Sequence, residues 1–259
     1  MYESTGYTSA GLSVVGATQG PARHQITEGM PLEDLAWEMP RLLRHLVPSK
    51  IALTRPYLTC SDSLRILDLG CGNHSPTAFR TAFPKCEYVG VDRRLYNLSP
   101  VDLTNLDRLI QTDLDTTSLA EVSDDNFDLV VVSHVLEHLH RGCGLLDVAI
   151  PKLRKNGILF VAFPNPDSVN FPSLPGTLNF YDDTEHVTLL SISEVERAVS
   201  RNGLQVVRSG TTRRARNLVL MPLRSALSIL NGGLRGPPLW DLFGFEQFVV
   251  AKRVDLFPV

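Results

Sequence analysis

The pattern of apolar positions changes near residue 65, where short β-branched runs begin to alternate with longer segments of helical or mixed pattern. The runs lack the polar-apolar alternation of a half-exposed strand, which is typical of strands buried on both faces of a parallel sheet. The alternation of strands with helical segments therefore predicts a doubly wound α/β fold. The predicted strands are RILDLG, EYVGVD, RLIQTD, FDLVVVS and GILFVAFP, beginning at residues 65, 87, 108, 127 and 157.

The same pattern divides the chain into an arm and one domain. Residues 1–30 are rich in Gly, Ser and Thr and predict a flexible arm. Residues 31–259 predict a single domain, in which 31–60 form a helical cover and 61–165 form the sheet core.

The C-terminal part of this domain, residues 166–259, is assigned to the substrate side. It begins with a long loop, and a helix capped by Ser191 follows. Residues 213–243 form an insertion, and its stretch NLVLMPLRSALSIL predicts an amphipathic helix. The stretch FGFEQFVVAKRV predicts a final strand.

The amino-acid composition favours a globular protein and disfavours several other classes. A chain of 259 residues with 43% hydrophobic residues can bury a sizeable core. Its 25 basic and 28 acidic residues give a net charge of −3, which disfavours a nucleic-acid partner. The four cysteines form no C-x-x-C pair, so we expect a reducing compartment and a cytoplasmic location. No apolar run predicts a secretion signal or a membrane span, and we expect no membrane partner.

Three consecutive predicted strands end in residues suited to holding a nucleoside. Gly70 and Gly72 follow the first strand, where the missing Cβ lets the backbone approach a ligand. Asp92 ends the second strand about twenty residues later, a spacing at which a carboxylate accepts hydrogen bonds from ribose hydroxyls. Asp113 ends the third, so we predict one crevice at the carboxyl edge of the sheet. The alternative is that Gly and Asp only form strand-end turns, where both are common.

Five motifs along the chain, in their order and spacing, resemble those of a known family. Over about residues 60–210 the chain is similar to the class I S-adenosylmethionine-dependent methyltransferases, close to their broad small-molecule group. The resemblance implies a Rossmann-like sheet of order 3-2-1-4-5-7-6 with strand 7 antiparallel and helices on both faces. It also implies S-adenosyl-L-methionine as cofactor, bound across the ends of strands 1 and 4. The motifs are LDLGCGN, VGVD, TDLD, FDLVVVSHVLEHL and LRKNGILFVAFP.

The resemblance further implies which residues hold the cofactor. Asp68 and Gly70 would lie near its methionine part, and Asp92 would hold the ribose. Asp113 would contact the adenine amino group. The other members of the set are Gly72 in the glycine turn, Leu114 beside the adenine ring and Ser133 at the methionine end.

The chain departs from the family pattern at His74, which stands where the third glycine of the turn is expected. Asn73 and His74 can still make the turn, because both residue types are enriched at positive φ. A dinucleotide dehydrogenase would need that third glycine for close helix packing, and the sequence has no second dinucleotide-binding half.

The stretch SHVLEHLH contains His134, Glu137 and His138 in the order H-x-x-E-H. On a helix the two histidines would share one face and could bind zinc, as in an inverted zinc-protease motif. The stretch also leaves the predicted fourth strand, where the topology alone would place it beside the transferable methyl group.

Three interpretations of these residues remain. In the first, which we favour, His186 or His134 is the catalytic base and no metal is used. In the second, Glu137, His138 and His186 bind a divalent metal; small-RNA 2′-O-methyltransferases and a quinone-pathway O-methyltransferase resemble this chain with E-x-x-E-H, although His134 replaces the first glutamate. In the third, the stretch VLEHL only opens a helix.

The predicted reaction is O-methylation of a small metabolite or a sugar-containing natural product. No N/D-P-P-Y/F motif of base-methylating enzymes follows the fourth strand, and residues 178–207 look like segments of bacterial polysaccharide and natural-product methyltransferases. One alternative is an RNA or carrier-bound-substrate methyltransferase that uses Arg201–Arg216, with or without a metal. Another is a non-catalytic relative that binds the cofactor. The pattern gives no prediction of the oligomeric state.

Overall fold

The computed structural model describes residues 48–58 and 63–254. The predicted arm and most of the predicted helical cover lie outside these residues. Within them, seven strands form one sheet: β1 (Arg65–Leu69), β2 (Glu87–Asp92), β3 (Arg108–Gln111), β4 (Phe127–Ser133), β5 (Leu153–Pro164), β6 (Leu204–Thr211) and β7 (Glu246–Arg253). The helices are α1 (Ser49–Thr54), α2 (Ser75–Ala82), α3 (Pro100–Thr104), α4 (Leu145–Ala149), α5 (Ile192–Arg201), α6 (Ala215–Leu230) and α7 (Trp240–Phe243).

The strand order is β3-β2-β1-β4-β5-β7-β6. β7 runs antiparallel to β5 and β6, and the remaining neighbours are parallel. The doubly wound sheet and its order are therefore confirmed.

The central strands are apolar throughout because each of them supplies side chains to two cores. On β1, Leu67 packs into the core on one face of the sheet and Ile66 into the core on the other. On β4, Val130 and Val131 divide in the same way. Each such fully buried side chain contributes about 1.5–3 kcal/mol relative to an exposed one.

The predicted elements differ from the observed ones mainly at their ends. β3 ends at Gln111, so Asp113 lies two residues beyond the strand. The serine-capped helix is confirmed, because the Ser191 side chain and Glu194 form a capping box at the start of α5. The stretch Leu136–His138 forms only one 3₁₀ turn, and no α-helix begins there.

Among the described residues, no helix is both long enough and apolar enough to cross a membrane. Cys71 and Cys86 are buried and Cys143 is half-buried, each as a free thiol. The cytoplasmic location stays a prediction.

Candidate active site

The carboxyl ends of four adjacent strands meet at one edge of the sheet. The register pairs the last residue of β1 with the penultimate residues of β2 and β4. Gly70, Asp92 and Ser133 therefore lie at one level, separated by the spacing between neighbouring strands, about 4.8 Å. Asp113 follows β3 at the same edge. The structure thus brings together the residues that the sequence assigned to the nucleoside crevice.

The glycine turn after β1 requires its two glycines. Gly70 has φ +81°, and a Cβ at this position would collide with the Val135 side chain. At Gly72 a Cβ would lie 2.7 Å from the Tyr96 carbonyl oxygen. The Gly72 N–H donates to Asp92 Oδ2 over 3.2 Å, so the turn also holds the carboxylate at the end of β2.

Asp92 accepts a second backbone hydrogen bond, from the Arg94 N–H to Oδ1 at 3.1 Å. Each of its oxygens accepts one backbone hydrogen bond and keeps lone pairs for further donors. A carboxylate held in this way can accept hydrogen bonds from vicinal hydroxyl groups.

His74 occupies the position where a third glycine was expected. Asn73 and His74 have φ +55° and +57°, which confirms that both residues adopt the left-handed conformation. The His74 Nδ1 lies 2.7 Å from Asp102 Oδ2, and Asp102 also caps α3. Burial alone would raise the pKa of Asp102, but hydrogen bonds from Ser99, Thr77 and His74 outweigh it and lower that pKa. The hydrogen bond between His74 and Asp102 thus connects the glycine turn to the start of α3.

Asp68 lies fully buried beneath the glycine turn. Its Oδ2 accepts hydrogen bonds from Tyr88 at 2.7 Å, from Lys50 at 3.4 Å and from Ser75. Its Oδ1 is buried and has no hydrogen-bond partner among the described residues. Lys50 and Tyr88 were not anticipated from the sequence, and burial followed by the charge of Asp68 raises the pKa of Tyr88.

The part of the crevice formed by Asp113 and Leu114 is more open. Asp113 is half-exposed, and its Oδ1 accepts the Asp115 N–H at 2.9 Å, which fixes the orientation of the carboxylate. Arg93 Nη1 lies 4.0 Å from the other oxygen. The neighbouring Leu114 is buried and offers an apolar surface.

His134 directly follows β4 with φ +54°. Its Nδ1 lies 3.1 Å from Glu137 Oε1 and its Nε2 lies 3.2 Å from Glu246 Oε2. Burial would lower the pKa, but the hydrogen bonds to the two carboxylates outweigh it and raise the pKa of His134 to about 10. At neutral pH this imidazole therefore carries a proton and a positive charge.

Glu246 is the buried counter-ion that the sequence did not reveal. Its carboxylate accepts hydrogen bonds from Ser49 at 3.1 Å and Thr212 at 2.8 Å as well as from His134. Burial would raise its pKa, but these hydrogen bonds and the charge of His134 lower it. Trp240 covers the His134 ring, with centroids 5.4 Å apart.

His186 lies in the loop between β5 and α5, and its side chain is only 4% exposed. Its Nδ1 is 2.7 Å from the Phe180 carbonyl oxygen and so donates to it, which leaves the lone pair on Nε2. Burial lowers the pKa of His186, so the ring is neutral at neutral pH. The loop is held against the end of β4 because the Val187 and Thr188 N–H groups both donate to the Glu137 carbonyl oxygen.

Glu137, His138 and His186 come together although they lie on different segments. One ligand atom from each is within 4.8 Å of the others. His138 Nδ1 is 3.2 Å from the Glu185 carbonyl oxygen, and Glu137 Oε2 is buried without a hydrogen-bond partner among the described residues. His134 is not a member of this cluster: its Nδ1 contacts the other oxygen of Glu137, and its Nε2 faces Glu246. The zinc-protease interpretation is wrong, because it required both histidines of the motif on one helical face and the stretch is a single 3₁₀ turn.

Comparison with known proteins supplies the family. A family model described as a methyltransferase domain matches residues 38–209, more than half of the chain. The chain therefore belongs to the methyltransferase domain family. No curated protein matches the sequence.

Solved structures share the fold. A SAM-dependent methyltransferase from Archaeoglobus fulgidus is 20% identical with a TM-score of 0.51, and the match covers 81% of this chain and 94% of that chain. One from Mesorhizobium loti is 16% identical with a TM-score of 0.54, covering 80% and 98%. The Haemonchus contortus phosphoethanolamine N-methyltransferase 2, solved with S-adenosylhomocysteine, is 13% identical with a TM-score of 0.56, covering 80% and 52%.

The family match, the sheet order and the glycine turn together define the class of enzyme. The protein is an S-adenosylmethionine-dependent methyltransferase of class I, and S-adenosyl-L-methionine is its cofactor.

Proposed function

We propose that the enzyme transfers a methyl group to a hydroxyl oxygen of a small metabolite or a sugar-containing natural product. The observation that carries this proposal is the neutral His186 beside the end of β4: its Nδ1 donates to a carbonyl oxygen, so Nε2 keeps its lone pair, 3.8 Å from Asp183 Oδ2. A hydroxyl nucleophile must lose a proton during transfer, and a neutral imidazole is suited to accept it.

The residues at the carboxyl edge of the sheet fit the cofactor. Asp92 would hold the ribose hydroxyls, and Asp113 and Leu114 would bind the adenine. The orphaned Oδ1 of Asp68 offers an acceptor for the methionine ammonium group. The positions at which the backbone or strand end would approach the methionine part are Gly70, Gly72 and Ser133.

When bound, the cofactor supplies a sulfonium-activated methyl group, so no nucleophilic side chain is needed. The protein's task is to hold the acceptor oxygen in line and to remove its proton, and positioning contributes much of the acceleration. We assign proton removal to Nε2 of His186.

His134, the other histidine favoured as a base, receives a different role in this proposal. A protonated imidazole between Glu137 and Glu246 cannot accept a proton at neutral pH. We propose that it is a positioning residue that orients Glu137 and supports the Trp240 ring.

Replacing the proposed base should slow methyl transfer without weakening cofactor binding. His186→Ala should lower kcat by roughly 10²–10⁴-fold, the usual contribution of general base catalysis, while leaving the affinity for S-adenosylhomocysteine unchanged. The acceptor is first identified by transfer of labelled methyl groups into extracts of the source organism, followed by mass identification of the product. Turnover of the variant that equals the wild type at every pH would remove His186 from the mechanism.

A metal-assisted version of the same reaction is a second candidate. It is favoured by the cluster of Glu137, His138 and His186, whose ligand atoms lie within 4.8 Å of one another, and by Glu137 Oε2, which has no hydrogen-bond partner among the described residues. Hydrogen bonds to carbonyl oxygens orient both imidazoles and leave their Nε2 atoms to bind a cation. His138→Ala is the discriminating variant. A metal site predicts that it loses activity together with His186→Ala and that elemental analysis finds a stoichiometric metal in the wild type only. A base mechanism predicts an active, metal-free His138→Ala enzyme.

Two further alternatives need separate tests. An RNA or carrier-bound acceptor would use the arginines of 201–216, and RNA binding that survives about 200 mM salt would favour it. A protein that binds S-adenosylhomocysteine but labels no component of the extract would be a non-catalytic relative.

A further inference from the structure

Ion pairs connect the loop that carries His186 to the residues that follow β2. Glu185 Oε1 lies 3.6 Å from Arg94 Nη1, and Glu185 Oε2 lies 3.8 Å from Arg93 Nη2. The second terminal nitrogen of Arg93 lies 4.0 Å from Asp113 Oδ2. Opposite charges therefore alternate along a continuous chain of side chains from Asp113 through Arg93 and Glu185 to Arg94.

These ion pairs connect opposite sides of the cofactor crevice. The loop of residues 183–188 is attached to the turn after β4, because the Val187 and Thr188 N–H groups donate to the Glu137 carbonyl oxygen at 2.8 and 3.0 Å. Arg93 directly follows the last residue of β2. Because β1 lies between β2 and β4, these two attachments are about two strand spacings, or about 9.6 Å, apart. The ion pairs therefore extend across the end of β1, where the crevice opens.

The backbone of Glu185 is held independently of these pairs. Its N–H donates to Asp183 Oδ1 at 2.9 Å, and its carbonyl oxygen lies 3.2 Å from His138 Nδ1. The side chains of Glu185, Arg93 and Arg94 are each more than half exposed. Exposed ion pairs contribute little to stability and are screened by salt. These pairs can consequently break and form again without unfolding the domain, as exchange of a bound cofactor requires.

We propose that Glu185 closes the cofactor crevice by pairing with Arg93 and Arg94 across the end of β1. With the pairs formed, the loop of residues 183–188 covers the bound nucleoside, and when they break, S-adenosylhomocysteine can leave. Closure of a loop over a bound ligand and its opening for product release are steps that many enzymes share. Glu185 is a positioning residue, because it acts through the loop. The proposal rests on cofactor binding at this edge of the sheet and is independent of the acceptor.

The experiment measures how fast the full chain releases labelled S-adenosylhomocysteine when an excess of unlabelled compound is added. Glu185→Gln should release it roughly two- to tenfold faster than the wild type, the range expected for the loss of two exposed ion pairs. Raising the salt from about 0.1 M to about 1 M, where the Debye length is about 3 Å, should speed release from the wild type and have little effect on the variant. S-adenosylhomocysteine has no net charge at neutral pH, so the salt effect reports mainly on the protein's own ion pairs. Thermal unfolding of Glu185→Gln should match that of the wild type.

Glu121→Gln is the matched control. It removes another exposed ion pair, in which Glu121 lies 3.7 Å from Arg108 at the start of β3, away from the crevice. This variant should release S-adenosylhomocysteine as the wild type does. Arg94→Gln should release it faster, and adding Arg94→Gln to Glu185→Gln should cause no further increase, because both substitutions remove the same pair.

Three results would overturn the proposal. The first is an equal release rate for the wild type and Glu185→Gln at low salt. The second is a release rate of Glu185→Gln that rises with salt as steeply as that of the wild type. The third is an additive effect of Arg94→Gln and Glu185→Gln, which would show that the two side chains act separately.

Discussion

At the residue scale, the two candidate histidines show how partners decide the charge of a side chain. His134 lies between two carboxylates and holds its proton, whereas His186 donates to a carbonyl oxygen and is neutral because burial lowers its pKa. The sequence offers both as bases, because a histidine's unperturbed pKa suits either role. Only the tertiary contacts show that His134 is protonated and His186 is neutral.

The His134 ion pairs should make stability depend on pH. Below about 6.5 the folded and unfolded states both carry the proton, so the pairs contribute fully; as pH rises toward the folded pKa of about 10, this contribution is lost. The free energy of unfolding should therefore fall across that window by at most about 1.4 kcal/mol per pH unit relative to His134→Gln.

Denaturant titrations at several pH values measure this difference. His140→Gln, which removes an exposed histidine instead, should follow the wild type. Parallel curves for the wild type and His134→Gln between pH 6.5 and 10 would contradict the charge assigned to His134.

At the element scale, the glycine turn after β1 joins strand, helix and site. Gly70→Ala should destabilise the fold by about 1–2 kcal/mol through its positive φ alone, and the collision with Val135 should displace the turn. We expect loss of S-adenosylhomocysteine binding as well.

Gly144→Ala is the matched control, because its Cβ would meet the Arg141 side chain at an ordinary 3.4 Å and its φ is −61°. Chemical denaturation and ligand-induced thermal shift should show near wild-type behaviour for this variant. A Gly70→Ala protein that binds as tightly as the wild type would show that the turn does not shape the crevice.

The elements that could be predicted are those with local signals. The central strands could be predicted because they are apolar runs. Gly70 and Asp92 could be assigned to strand ends because each comes at the end of such a run. The role of Glu246 in the site could not be predicted, because its partner His134 is 112 residues away and no local pattern links the two residues. The H-x-x-E-H stretch was ambiguous because residue spacing does not reveal a 3₁₀ turn or the positive φ of His134.

At the scale of the whole molecule, the sheet order brings together groups that are distant along the chain. The edge between β1 and β4 receives the glycine turn, the His134 turn and the loop that carries His186. In a doubly wound sheet the strand order reverses at this point, and a crevice opens at the carboxyl ends of the strands. Ligands bind in that crevice. The central claim is that this edge binds the adenosyl group.

Calorimetric titration with S-adenosylhomocysteine, supported by thermal shift, tests that claim most directly. We expect saturable binding by the wild type and an affinity at least roughly tenfold lower for Asp92→Asn, because a hydrogen bond to a charged group is worth about 1.5–3 kcal/mol. Asp125→Asn, near the opposite edge of the sheet, should bind like the wild type. Absence of wild-type binding, or equal affinity in Asp92→Asn, would contradict the account.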